Sequence, residues 1–294
     1  MGFHSEGLVR NLTDLARNLR IRVIEMIYCA QSGHPGGSLS AADIVVALYF
    51  HHLRLDPMRP DWSERDRFIL SKGHAAPLLY AALCERGFFD QECLTTLRCL
   101  DSKLQGHPDR LKTEGVEMTA GALGHGLAIG VGLALGARLD GAAYRTYVLL
   151  GDGEIQAGII WEAAMTAAKY ALDNLTAILD YNDVQLDGPV HEIMPLEPVK
   201  AKWESFGWHT IEIDGHNMRQ LLEALDEATH IHARPTIIIA HTVKGKGVSF
   251  MENENVWHYR PPDAEAYGLA IKEIDKRTDR SPQIFARGIV LTYN

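Results

Sequence analysis

Short runs rich in apolar and β-branched residues recur at 146–150, 175–179, 209–213 and 236–240, each set apart by a longer segment. Runs this short match a strand and barely exceed one turn of helix, so they predict buried strands. Between the first two, 155–172 is apolar on nearly every face (Ile159, Trp161, Ala164, Met165, Ala168) and predicts a helix buried all round. Strands that alternate with helices pair in parallel, with helices covering the sheet. The expected class is α/β: a parallel sheet with helices on both faces.

Upstream, Leu8, Leu12, Leu15, Leu19 and Val23 recur at helical spacing and predict an amphipathic opening helix. It should end near Gly33, because Ser32-Gly33-His34-Pro35-Gly36-Gly37 breaks a helix. Ser40 is placed to cap a second helix over about 41–53. No repeat, low-complexity tract or linker divides the chain. One domain over 1–294 is expected, with an irregular tail after about residue 246.

Gly151-Asp152-Gly153-Glu154 follows the first strand, and Asp180-Tyr181-Asn182-Asp183 ends the second. Parallel strands joined by a right-handed crossover have their carboxyl ends side by side. Asp152 and Asn182 should therefore meet at the carboxyl edge of the sheet, where α/β folds bind ligands. Mg2+ takes hard oxygen ligands, commonly a carboxylate, neutral oxygens and substrate phosphates. Asp152 offers the carboxylate, Asn182 an amide oxygen, and the backbone near Val184 a carbonyl. Gly153 lets the backbone approach a phosphate, and the positive end of the next helix points there. Gly-Asp-Gly alone is common in turns; the Asn at the neighbouring strand end makes it informative. Asp187-Gly188 reads as a plain turn.

Fourteen histidines are many for this length. His4, His51, His52, His209, His230 and His232 read as structural. Four others sit in distinctive loops: His34 in Ser-Gly-His-Pro-Gly-Gly, His74 in Ser-Lys-Gly-His-Ala, His107 in Gly-His-Pro, and His258 in Trp-His-Tyr. A neutral imidazole relays protons near neutral pH, and a protonated one neutralises phosphate.

These motifs occur in one order with Gly121-Ala122-Leu123-Gly124-His125-Gly126, Phe206-Gly207-Trp208, Asp214-Gly215-His216 and Thr242-Val243-Lys244-Gly245-Lys246-Gly247. Taken together they span nearly the whole chain, which resembles the diphosphate-binding half of transketolases. The resemblance implies the thiamine-diphosphate-binding fold and transfer of a two-carbon ketol unit from a ketose (or ketose phosphate) to an aldose. It implies that Asp152, Asn182 and the Val184 carbonyl hold Mg2+, or another divalent cation such as Ca2+ or Mn2+. Gly151, Gly153 and Glu154 then belong to the cofactor site, and Gly121 and Leu123 to the thiazolium pocket. Lys244, His74 and His258 lie near thiamine diphosphate, while His34, His74, His107 and His258 are catalytic and face the sugar. Three positions depart from the family pattern: Asp183 beside the metal motif, His125 in place of Gln, and Tyr259-Arg260 in place of Gly-Lys.

In that family a glutamate and an aromatic residue on a second domain contact the cofactor's pyrimidine. With a closing segment at 282–290 the chain leaves no room for that domain. The resemblance then implies a separate C-terminal, pyrimidine-domain subunit in an α2β2 heterotetramer. The alternatives are a subunit of another thiamine-diphosphate enzyme, such as a deoxyxylulose-phosphate-synthase-like or specialised sugar ketol transferase, and a non-catalytic regulatory subunit. The complete set of histidines and metal ligands favours ketol transfer.

A net charge of -9 speaks against nucleic acid or an anionic membrane surface as partner. Cys29, Cys84, Cys93 and Cys99 form no Cys-x-x-Cys pair and suit buried free thiols in a reducing compartment. Arg10, Asp14 and Arg17 interrupt any signal pattern, and the most apolar stretch, 126–137, is too short to span a bilayer. A cytoplasmic protein is expected.

Overall fold

Five parallel strands form one sheet in the order β1-β2-β3-β5-β4, in a computed structural model that describes residues 4–275. They are β1 (Arg67–Leu70), β2 (Thr146–Gly151), β3 (Leu175–Tyr181), β4 (His209–Asp214) and β5 (Thr236–His241). The last four are the runs expected from sequence, each longer by a residue or two at its carboxyl end. β1 is not among those expectations, because its four residues run directly into the Ser71-Lys72-Gly73-His74 loop.

The helices are α1 (Glu6–Ala30), α2 (Pro35–Ser40), α3 (Ala42–Ala47), α4 (Ala76–Glu85), α5 (His125–Asp140), α6 (Gly158–Lys169), α7 (Val190–Ile193), α8 (Val199–Ser205), α9 (Met218–His230) and α10 (Ala264–Ile274). Alternating strand residues feed two cores. Tyr147, Leu149, Ile178 and Ile238 pack with α1, α3, α4 and α9 on one face. Val148, Leu150, Ala177, Leu179 and Ile237 pack with α5, α6 and α8 on the other. Helices thus cover both faces, as the alternation implies.

In α1 the Ser5 hydroxyl accepts from the Leu8 N–H at 3.2 Å, and Gln31 ends the helix at φ 46°. Its buried stripe, Leu12, Ala16, Leu19, Val23 and Ile27, repeats every three or four residues. Each large apolar side chain buried this way stabilises the fold by about 1.5–3 kcal/mol.

Several expectations need correction. The second helix starts at Pro35, not after Ser40: proline fits the first helical position, where no N–H is needed. Ser40 is no cap, since its hydroxyl donates to Gly37 O and to the Asp180 carboxylate. α6 is not buried all round: Ile160, Ala163, Ala164 and Ala167 are buried, but Glu162 and Met165 face outward. The region after 246 is not irregular throughout, because Asp263 caps α10 by accepting from the Ala266 N–H at 2.9 Å. Tyr267 on that helix stacks on Tyr28 of α1 at 4.3 Å. The cysteines are free, yet Cys29 and Cys99 are exposed rather than buried. The segment 282–290 lies outside the described residues.

Candidate active site

β2 and β3 are neighbours in register, with Gly151 opposite Asp180, so the next residues of each emerge together at the carboxyl edge. Asp152 and Asn182 meet there as expected. Asp152 Oδ1 accepts from the Gly153 N–H at 2.7 Å, and Oδ2 accepts from the N–H groups of Asn182 at 2.8 Å and Asp183 at 2.6 Å. The Asn182 amide oxygen accepts from the Val184 N–H at 3.2 Å, and the Val184 carbonyl accepts from Lys244 Nζ at 2.6 Å. Asp152 is 3% exposed. Burial, reinforced by the nearby Asp180 charge, pushes its pKa up to about 6.

This donor set suits a divalent cation. The Asp152 carboxylate is buried with backbone N–H partners only, so no side-chain cation bonds to it among the described residues. The Lys244 ammonium already occupies the Val184 carbonyl, which marks that oxygen as one that accepts a cation. Among the described residues no three His, Cys, Asp or Glu side chains group to hold a metal unaided. One carboxylate, one amide and one carbonyl leave the rest of an octahedral shell to phosphate oxygens and water.

The edge opens on a cleft of about 250 Å³ lined by Asp152, Gly151, Gly153, Glu154, Asn182, Val184, Leu123, His74, Lys244 and His258. Gly37, Lys72, Gln156, Gln185 and Leu186 complete the lining, and none of these five was singled out from sequence. Glu154 has a different task from a cofactor ligand. Its carboxylate accepts from the N–H groups of Gly151 at 3.0 Å and Gly124 at 2.7 Å and from the Ser71 hydroxyl, tying three turns together. Gly121 lies beside His107 rather than on the cleft wall.

Beneath the cleft, Lys72 Nζ donates to Gly37 O at 2.9 Å and to Asp180, which also accepts from Ser40 and Thr242. Burial works to raise the Asp180 pKa, but Lys72 and these donors hold it below the carboxylate range. The only sequence sign of the pair is a charged residue at the end of an otherwise apolar strand. At Gly37 a Cβ would stand 3.0 Å from His74 Nε2 and 3.3 Å from Lys72 Nζ, so a side chain there would intrude on both.

The four loop histidines converge. The His34 ring lies 5.4 Å from His74, 5.5 Å from His258 and 6.4 Å from His107, centre to centre, and His74 stacks on His258 at 5.0 Å. All are held neutral. Burial, then Arg98, takes His34 down to about 4; burial, then Lys244, takes His258 down to about 3. Burial and Lys72 hold His74 well below its ordinary range, and burial and Arg98 lower His107. Burial also brings Lys244 down to about 8 against the pull of Asp152. Lys244 Nζ lies 2.8 Å from His258 Nδ1. An ammonium only donates, so Nδ1 accepts and the His258 proton sits on Nε2.

These shifts set a pH dependence of stability. The unfolded chain takes up protons at histidine from its ordinary value of 6.5 downward, whereas the folded rings resist them until about 4 and 3. Stability from this source is complete above the unfolded value and is lost as pH falls toward the folded ones. A His34→Gln/His258→Gln double variant should therefore lose less melting temperature than wild type between about pH 7 and about pH 5. An equal or greater loss would mean that the folded rings are not held neutral.

The family departures lie at the periphery. The Asp183 carboxylate pairs with His191 Nδ1 at 2.9 Å. His125 is exposed, with Nδ1 3.3 Å from Leu123 O. Tyr259 is exposed and Arg260 lies over the Trp257 ring.

Residues 12–274 match the family model described as transketolase, thiamine diphosphate binding domain. One of the two subunits of an apulose-4-phosphate transketolase from Phocaeicola vulgatus is 43% identical over 261 residues, covering 89% of this chain and 92% of its own. A 6-deoxy-6-sulfo-D-fructose transketolase subunit from a Clostridium species is 42% identical, covering 93% of this chain and 96% of its own. Human transketolase is 41% identical over 94% of this chain, which spans 44% of that longer protein. The crystal structure of transketolase from Campylobacter jejuni superposes with a TM-score of 0.86 at 35% identity, over 90% of this chain and 43% of the other.

Proposed function

Because the chain belongs to the transketolase family, matched through its thiamine-diphosphate-binding domain, we propose that it is the diphosphate-binding subunit of a two-chain transketolase. The observation that carries the reading is the juxtaposition of one cation-seeking oxygen cluster, Asp152, Asn182 and Val184 O, with four neutral imidazoles about one cleft. Asp152, Asn182 and the Val184 carbonyl would hold Mg2+, or Ca2+ or Mn2+ in its place, against the diphosphate. Thiamine diphosphate, when bound, supplies the carbon nucleophile that carries the two-carbon unit. Leu123 offers an apolar wall, and Lys244 and His258 stand at the anionic end of the cleft. Each neutral ring presents one N–H and one acceptor, so His34, His74, His107 and His258 can orient sugar hydroxyls and hold or pass their protons.

Two features support a second subunit. Both relatives covered almost end to end are named as transketolase subunits. In addition, Ile129 and Leu139 on α5 and Met165 on α6 leave 41%, 88% and 53% of their surface exposed on this chain. Exposed apolar groups of this kind mark interaction surfaces. A pyrimidine-domain partner in an α2β2 arrangement closes the assembly. The proposal places the protein in the cytoplasm, acting on sugars or sugar phosphates, with neither nucleic acid nor membrane as partner. Among the described residues no helix is long and apolar enough to cross a membrane.

Calorimetric titration tests the cofactor: thiamine diphosphate should bind with Mg2+ present and weaken sharply when the metal is chelated. Binding indifferent to the metal would contradict the assignment. His74→Ala and His107→Ala should lower kcat/KM on the order of 100-fold while thiamine diphosphate still binds. Loss of the fold in either variant would return that histidine to a structural role.

A further inference from the structure

Arg98 touches the histidine cluster from outside the motifs that define it. Its Nη1 donates to the Ser32 hydroxyl at 2.8 Å, and its Nη2 lies 3.4 Å from both His34 Nδ1 and the Gly106 carbonyl. One guanidinium thus joins the loop that carries His34 to the loop that carries His107. Three further facts show that the position is built. Arg98 has a φ of 60°, a left-handed conformation that costs a non-glycine residue about 1 kcal/mol. Its N–H is held by Leu104 O at 2.9 Å. A Cβ on Gly106 would stand 3.2 Å from the guanidinium carbon, so glycine there gives the arginine its space. Among the described residues no carboxylate pairs with Arg98, although it is only partly exposed.

A guanidinium has donors only. The His34 nitrogen that faces it must accept, and the ring's single proton must then be on Nε2. We propose that Arg98 is a positioning residue for His34: it takes Nδ1 as its acceptor, fixes the proton on Nε2 and keeps the imidazole neutral inside the cluster. The other charged or titratable groups around this ring are His74, His107, Lys244 and His258, each from a different segment. Lys244 opposes protonation as Arg98 does, but only Arg98 contacts a ring nitrogen of His34. Among the described residues Nε2 has no hydrogen-bond partner. On the ketol-transfer reading, its N–H is the donor offered to a sugar hydroxyl.

Proton–nitrogen spectra of the nitrogen-15-labelled full chain read this directly, with the His34 signals identified by their loss in His34→Gln. Wild-type His34 should carry its proton on Nε2 and titrate well below ordinary histidine. In Arg98→Met the two tautomers should mix, and the titration should rise by roughly one pH unit. Arg98→Lys keeps the charge and should restore most of the low titration. A wild-type ring protonated on Nδ1 would overturn the proposal, as would an Arg98→Met chain whose His34 keeps both tautomer and titration. If Arg98→Met does not fold, the wild-type tautomer decides. Cofactor binding is measured separately. A chain that binds no thiamine diphosphate yet shows the Nε2 proton contradicts the transketolase reading and upholds this one.

Discussion

Replacing Asp152 with alanine or asparagine is expected to abolish Mg2+-dependent binding of thiamine diphosphate while the chain stays folded. Asp152 brings the one formal charge of the proposed protein shell, and Asn182 and Val184 O contribute only dipoles. Removing one partner of a buried charge pair costs about 2–5 kcal/mol, so affinity should fall on the order of 100-fold or more. The two variants separate binding from folding. Asp152 accepts from three backbone N–H groups, those of Gly153, Asn182 and Asp183. Alanine leaves those donors without their acceptor, at about 1–3 kcal/mol for each that stays buried. Asparagine keeps one oxygen and removes the charge. Asp152→Asn should therefore melt above Asp152→Ala while binding no better. Calorimetry and thermal melts check both statements, and an Asp152→Asn subunit with wild-type, Mg2+-dependent affinity would remove Asp152 from the metal site.

Much of the fold was legible because parallel strands are buried on both faces and so read as continuous apolar runs. That holds for β2, β3 and β5; β4, at the sheet edge, showed itself through alternation in His-Thr-Ile-Glu-Ile. β1 was not legible, since four residues carry no period and merge with the loop motif that follows. Pro35 reads locally as a stop, and only the packing of Gly36 against Lys244 and Trp257 shows why a helix starts there. The outward face of α6 could not be told from a buried one, because a surface that meets another subunit is as apolar as a core. At the site, Asp152, Asn182 and the four histidines were found from motif and topology. Lys72–Asp180 and Arg98 were not. Their partners come from distant segments, and neither helical nor strand spacing records a contact made by tertiary closure.

The chain by itself is expected to show no ketol transfer, with activity appearing on addition of a pyrimidine-domain subunit. Asp152, Asn182 and Val184 O gather at one sheet edge and can hold only the diphosphate end of the cofactor. The pyrimidine needs a carboxyl partner and an aromatic wall, which the resemblance assigns to a second domain. A cleft of about 250 Å³ with half-exposed Leu123 on its wall is one side of such a site. The interface should be large and apolar, as permanent ones are, burying upward of about 2,000 Å². The solitary subunit, with Ile129, Leu139 and Met165 exposed, should then self-associate at high concentration. The deciding measurement is transfer from a ketose to an aldose by the purified chain with thiamine diphosphate and Mg2+, alone and then mixed with the pyrimidine-domain chain. The account predicts no turnover alone and robust turnover in the mixture. Robust turnover by the chain alone, with no second protein detectable by mass spectrometry, would contradict it.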